Sequence, residues 1–247
     1  SPGAPGRELI ELAAATLGLD SVAPFDPAKK IIDYVARPAA PLMAMTAEAF
    51  VDEVSSDSPA PGGGSVSALA GSLAAALSAM VANLTVGKKG YEAVWPAMSD
   101  LAVRAQAVKA TLARAVDEDT DAFNAVMEAM KLPKSTAEEK AARDAALQAG
   151  YKSAIEVPLA TARACVDALG LALEAVAGNR NSASDAGVAA LMARAGAHGA
   201  ALNVLINLGS VTDAGYAACM KAEVAALRTR ADDLCAKAVS AVEATFS

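Results

Sequence analysis

An all-α fold, a multi-helix bundle of long antiparallel helices, is predicted by three features of the chain. Alanine and leucine dominate its 247 residues, which are 54% hydrophobic but only 4% aromatic, so burial has to come from small side chains on closely approaching helices. Apolar residues recur at intervals of three and four over long stretches, the period of a helix face. No run alternates with period two, as a half-buried strand would. This apolar content suffices for a substantial core and excludes a disordered chain.

The elements follow in order. "SPGAPG" reads as a flexible stub and "RELIELAAATLGL" as a short amphipathic helix. "DSVAPFDPAKKIIDYVARPAAPL" is a proline-interrupted connector with a helical piece at Ile31 to Val35. Residues 1–44 are therefore expected to be a tail or linker ahead of a helical domain over 45–247. Thr46 is the expected N-cap of a helix through Val54. Pro59 and Pro61 stop it, "GGGS" turns the chain, and Ser65 opens an uncharged helix that ends near Gly87, where lysines gather at its C-terminal dipole. That helix is long enough to span a bilayer, but four serines, a threonine and an asparagine between Ser65 and Val86 point instead to a helix buried on all sides in a bundle. Pro96 lies near the start of a helix reaching Leu132. Ser135 with Glu138 makes a capping box for the next one, which Pro158 is expected to kink and Gly178 to end. A polar loop, "NRNSAS", leads to a helix from Asp185 to Leu208, and Thr212 or Asp213 caps the last, to Thr245.

The net charge of −7 and the lack of any lysine–arginine run exclude a nucleic-acid partner. No basic, apolar leader opens the sequence. Cys165, Cys219 and Cys235 are odd in number, scattered and free of any C-x-x-C, which suits a reducing cytoplasm, with all three as small core residues. His198 is the one histidine, so no His-rich metal site is expected; on a seam with Leu191, Ala195, Leu202 and Leu205 it reads as a packed or interface residue.

"DEDTDAF", residues 117–123, sets four carboxylates within five positions. In the helix that contains it, Met98, Leu101, Ala105, Val108, Leu112, Val116, Phe123, Val126 and Met130 recur at helical spacing with one gap, and Asp119 fills that gap. Asp117, Glu118 and Asp121 belong to the wet face. A carboxylate on an apolar stripe has its pKa pushed upward by desolvation, which suits a general acid/base; an Asp bonded to a neighbouring helix is the structural alternative. Gly62, Gly63 and Gly64 precede a helix N-terminus, where bare amides can hold an anion or a carbonyl-rich ring, or the run is a hinge; the spacing fits neither a P-loop nor a dinucleotide fingerprint. Asn203 and Asn207, one turn apart among apolar neighbours, suit either a flat heterocycle or another helix. Asn179, Asn181, Ser184 and Asp185 form a loop and cap, while Lys88 and Lys89 either complement a helix C-terminus or meet an anionic tail.

"SPAPGGGSVSALAGSLAAAL", "VGKKGYE", "DEDTDAFNAVMEAMKLPK", "VPL", "GNRNSASDAGVAA" and "NVLINL" occur in an order that resembles the formiminotetrahydrofolate cyclodeaminase family, which includes methenyltetrahydrofolate cyclohydrolases. The likeness covers residues 46–245. "ELIELAAATLGLDSVAPFDPAKKIIDYV" resembles the junction after the formiminotransferase domain of bifunctional members, which favours the cyclodeaminase activity and a chain that is the C-terminal part of a longer enzyme. The resemblance implies an all-helical domain that forms a homodimer or higher homo-oligomer and turns over a tetrahydrofolate derivative, mono- or polyglutamylated, without a tightly bound cofactor or metal. It also implies an essential aspartate, which falls on Asp119. In that setting Gly62, Gly63, Gly64, Ser65, Asn203 and Asn207 are expected to line the pterin and aminobenzoate site, with Asp185 contributing, and Lys88 and Arg180 to meet the glutamate tail.

Overall fold

The computed structural model describes Ala14, residues 16–21 and residues 41–246. It divides into two units, Ser1–Ala44 and Met45–Ser247. In the first, the described residues include the 3-10 turns Leu19–Ser21 and Leu42–Ala44. Most of the expected first helix, and the piece at Ile31 to Val35, lie outside the described residues.

The second unit is helical, with no strand among the described residues. Its helices are α1 (Ala47–Val54), α2 (Gly63–Asn83), α3 (Trp95–Lys131), α4 (Ala137–Ala175), α5 (Ala183–Leu208) and α6 (Ala214–Glu243). Thr46 caps α1 through its hydroxyl, and Asp213 caps α6. The capping box of α4 lies one residue later than expected: Thr136 has the extended N-cap backbone and accepts from the Glu139 N–H, while the Glu139 carboxylate accepts from Thr136 and Ser135. Helix α2 begins at Gly63, two residues ahead of Ser65, and closes at Leu84; the positive φ of Gly87, +81°, turns the chain afterwards.

Helices α2 and α4 pack on each other and on both α3 and α5, with α6 against α4 and α5. Small residues let them approach closely. The Sγ of Cys165 and the Leu112 side chain fill the space a β-carbon would need at Gly71, and Gly196 lies against the Ser67 carbonyl. Cys165 and Cys235 are buried in this core, and burial pushes the Cys165 thiol up to about 12. Cys219 is exposed on α6, contrary to the core position expected.

Two expectations about helix faces fail for definite reasons. Helix α2 is not buried on all sides: Val66, Leu73 and Met80 are exposed along one face. The stripe on α3 keeps to the core from Met98 to Val116 and then leaves it, with Phe123 half-buried and Met130 exposed while Ala122, Val126 and Ala129 take the buried positions. Helices α2 and α3 run antiparallel, Ser72 donating to the Lys109 carbonyl and Ser65 to that of Val116. Beyond Thr120, α3 therefore outruns the start of α2 and has no α2 neighbour to cover its stripe.

Pro158 is buried inside α4 without ending it. Its missing N–H leaves the Ala154 carbonyl without a helical donor, and the Asn207 side chain on α5 donates to that carbonyl at 2.9 Å. An interhelical hydrogen bond thus fills the gap left by the proline. Asn207→Ala is expected to destabilise the fold by about 1–3 kcal/mol by orphaning this carbonyl. In a Pro158→Ala background, which restores the helical donor, chemical denaturation should show most of that penalty gone.

Candidate functional site

The first turn of α2 has no side-chain cap of its own, because its N-cap is Gly62. A residue 54 positions away takes that role: the Ser65 N–H donates to Asp119 Oδ2 at 2.9 Å, and the Ser65 hydroxyl lies 3.3 Å from the same oxygen. The hydroxyl also donates to the Val116 carbonyl at 2.8 Å and lies 3.3 Å from the Thr120 hydroxyl. The carboxylate meets the positive end of a helix dipole and an otherwise unpaired N–H. Gly64 makes this approach possible, since a β-carbon there would overlap the Asp119 carboxylate. The glycine run is therefore part of a helix start seated on an acid, not a hinge.

Asp119 Oδ1 makes no hydrogen bond among the described residues, and the residue borders a cleft of about 440 Å³, within the usual range of small-molecule sites, about 300–1,000 Å³. One wall continues the α3 stripe through Phe123, Val126, Met127 and Met130; α4 adds Tyr151 and Ala154; α5 adds Asn203, Ile206 and Asn207; Pro59, Ala60, Gly62 and Gly63 close the end. Burial pushes the Asp119 pKa up, and the Ser65 N–H and hydroxyl pull it down; burial prevails, so the acid holds its proton to a higher pH than an ordinary aspartate. A half-buried carboxyl with one oxygen anchored, on the lining of a largely apolar cleft, can accept and return a proton.

The predicted site residues fall into two groups. Gly62, Gly63, Asn203 and Asn207 line the cleft with Asp119, while Gly64 and Ser65 are buried behind it and hold the acid. The amide nitrogen of Asn203 donates to the Gly199 carbonyl and that of Asn207 to Ala154 and Asn203, leaving each Oδ1 as an acceptor for a ligand donor. Lys88, Arg180 and Asp185 do not join this group. They lie at the other end of α2, which between Ser65 and Asn83 is about 27 Å long. There Lys88 Nζ donates to Asn179 Oδ1 at 2.7 Å, the Arg180 guanidinium donates to the Thr245 carbonyl, and Asp185 sits in the first turn of α5. Asp117 is half-buried, while Glu118 and Asp121 are exposed. His198 is not on a core seam, since Leu191 and Leu202 are exposed; it lies 3.0 Å from Asp232 and accepts from Arg228 Nε at 3.2 Å, both on α6. Phe123, Met127 and Met130, read from the sequence as core or not singled out, are cleft residues, and their recurrence after Asp119 at helical spacing was the available signal. Tyr151 carried none.

A family model described as Formiminotransferase-cyclodeaminase matches residues 46–226. A methenyltetrahydrofolate cyclohydrolase of Methylorubrum extorquens is 45% identical over 173 residues, 70% of this chain and 83% of that protein. A formimidoyltransferase-cyclodeaminase of Sus scrofa is 42% identical over 240 residues, which is 95% of this chain but only 44% of that protein. The crystal structure of formiminotetrahydrofolate cyclodeaminase from Thermotoga maritima superposes with a TM-score of 0.74 at 31% identity, covering 83% of this chain and 98% of that one.

Two outcomes follow from the geometry. Gly64→Ala should displace Asp119 and cost about 1–3 kcal/mol in urea unfolding, whereas Gly63→Ala, 3.2 Å from the flexible end of Asn203, should cost measurably less. Phe123→Ala should destabilise by less than the roughly 3–5 kcal/mol of a fully buried phenylalanine and act chiefly on ligand affinity.

Proposed function

Because this chain belongs to the formiminotransferase-cyclodeaminase family, whose members here compared act on folates, we propose that it is a formiminotetrahydrofolate cyclodeaminase with Asp119 as its acid/base. The observation that carries the reading is a single carboxyl of raised pKa, fixed through one oxygen at a helix start and lining a largely apolar cleft. In 5-formiminotetrahydrofolate, N10 attacks the amidinium carbon carried on N5, forming the second C–N bond of the ring. The adduct then breaks its bond to the exocyclic nitrogen, leaving the 5,10-methenyl cation. One proton moves from N10 to the departing amine, which leaves as ammonia. Asp119 takes that proton in the first half and returns it in the second, and its ionised form favours the cation. Asn203 and Asn207 accept from ring N–H groups, and the apolar walls hold the flat ring system. Acid/base transfer of this kind calls on the protein's own side chains, with no bound cofactor, and we place it in the cytoplasm, in keeping with three unpaired cysteines.

A second reading, methenyltetrahydrofolate cyclohydrolase, is favoured by the Methylorubrum relative: water attacks the methenyl carbon and Asp119 activates it. The cyclodeaminase reading has the support of the porcine relative, whose alignment takes in nearly the whole chain. Supplying each folate in turn separates them. Ammonia release from the formimino substrate is the expected result; loss of the methenyl chromophore without it assigns the cyclohydrolase.

Asp119→Asn should lower turnover about 10² to 10⁴-fold. The folded protein binds the Asp119 proton more tightly than the unfolded chain. The stability this group contributes is therefore complete below its ordinary value of 3.8 and lost as pH rises through the raised one. The amide variant, which never ionises, should consequently melt no lower than the parent at neutral pH while being nearly inactive; equal turnover in a folded variant would exclude the role.

A further inference from the structure

Helices α3 and α6 both pack on α4, and a second cavity, of about 460 Å³, opens over the middle of α4. Its floor is one face of that helix, from Val166 through Gly170 and Leu171 to Glu174, with Val108 of α3 and Arg230 of α6 at its edges. The cavity is separate from the Asp119 cleft, which α4 reaches at Ala154, about 24 Å along the helix from Gly170. Gly170 keeps the floor open. A glycine inside a helix is less favourable than an alanine, and close packing accounts for the others: a β-carbon at Gly71, Gly150, Gly187, Gly196 or Gly199 would meet a neighbour within 3.4 Å. At Gly170 it would meet nothing within 4 Å. No packing contact requires this glycine, and what its missing side chain leaves is cavity.

Two arginines and two acids line this cavity, Arg104 and Arg230 with Asp167 and Glu174. Arg104 is already engaged: its Nε donates to Asp100 Oδ2 at 2.7 Å, and its two terminal nitrogens donate to the two Glu174 oxygens at 3.1 and 2.5 Å. Asp167 and Arg230 make no hydrogen bond or ion pair among the described residues, with each other or with anything else. An anion would pair with Arg230 but meet the charge of Asp167, and a cation would do the reverse. An uncharged apolar molecule would strip water from both and pair neither. A zwitterion pairs both. We propose that this cavity binds an α-amino acid with an aliphatic side chain, its carboxylate on Arg230, its ammonium on Asp167 and its side chain in the space over Gly170, against Val108 and Leu171. The site shares no residue with the Asp119 cleft and stands whichever folate the chain acts on.

The probe is L-leucine, titrated calorimetrically into the full chain, and the expected result is one saturable site per chain. 4-Methylpentanoate, which lacks the ammonium, and 3-methylbutylamine, which lacks the carboxylate, should each bind roughly tenfold or more weakly. Arg230→Gln and Asp167→Asn should each weaken leucine by about the same factor with helical circular dichroism unchanged, since both side chains are exposed. Arg228→Gln, which removes a neighbouring cation that bonds His198 instead, should leave the affinity as it was. Gly170→Leu fills the floor and should abolish binding, while its urea midpoint equals or exceeds the parent's because leucine is the better helix former. If that variant does not fold, the Arg230→Gln and Asp167→Asn titrations decide alone. No saturation at about 10 mM leucine overturns the proposal. So does equal affinity for 4-methylpentanoate, the mark of a simple anion contact, and so does leucine binding that survives in folded Gly170→Leu, which places it elsewhere on the chain.

Discussion

The bond from the Ser65 N–H to Asp119 joins two helices, caps one of them and sets the chemistry of the cleft. Helix α2 starts on glycines that offer no capping oxygen, so its dipole and first amides depend on an acid from α3. The acid depends in turn on the glycine, because any side chain at Gly64 would occupy its place. Sequence, helix start and functional group are coupled at one contact. A change made for one of them is felt by the other two.

The position of the cleft follows from helix lengths. Helix α3 has 37 residues and α2 has 21, and they are in register at Ser65 and Val116. The excess of α3 extends past the end of its neighbour and carries its apolar stripe into the open, where Phe123, Met127 and Met130 become a wall. Helix α4 closes the other side, and its proline frees the carbonyl that holds Asn207 in place. Alanine-rich packing serves this arrangement: helices that meet through small residues come close enough for a carboxylate of one to reach the backbone of another.

The helix order, the caps at Thr46 and Asp213 and the singular position of Asp119 were legible in the sequence, because each rests on local chemistry: a capping hydroxyl, a three-four repeat, an acid in an apolar gap. What was not legible needed the neighbours. A periodic stripe states which side of α3 is apolar but not where α2 stops covering it, so Phe123 read as core. The same blindness applies to α2, whose uncharged surface suits burial in its own bundle or against something else. Lys88, Arg180 and Asp185 were grouped with Asp119 through the family likeness, which orders motifs along the chain but contains no distances. The length of α2 separates them.

Under the folate reading, the same carboxyl serves both ring closure with loss of ammonia and hydrolytic ring opening, so Asp119 cannot decide between the two. The walls can. Ring closure generates a cation whose carbon is attacked by water, so an enzyme that stops there benefits from a site lined by groups that hold no water near that carbon. Phe123, Val126, Met127 and Met130 offer no hydrogen-bonding side chain beyond the weak thioethers. A hydrolase needs an ordered water beside the base, and ordered water in a cleft needs two to four polar partners. The cleft's polar groups, Tyr151, Asn203, Asn207 and Ser210, lie on α4, α5 and the turn after α5 rather than on the α3 wall next to Asp119. The choice between the two reactions therefore turns on whether a water can bridge from Asp119 to the asparagine pair once the ring is seated.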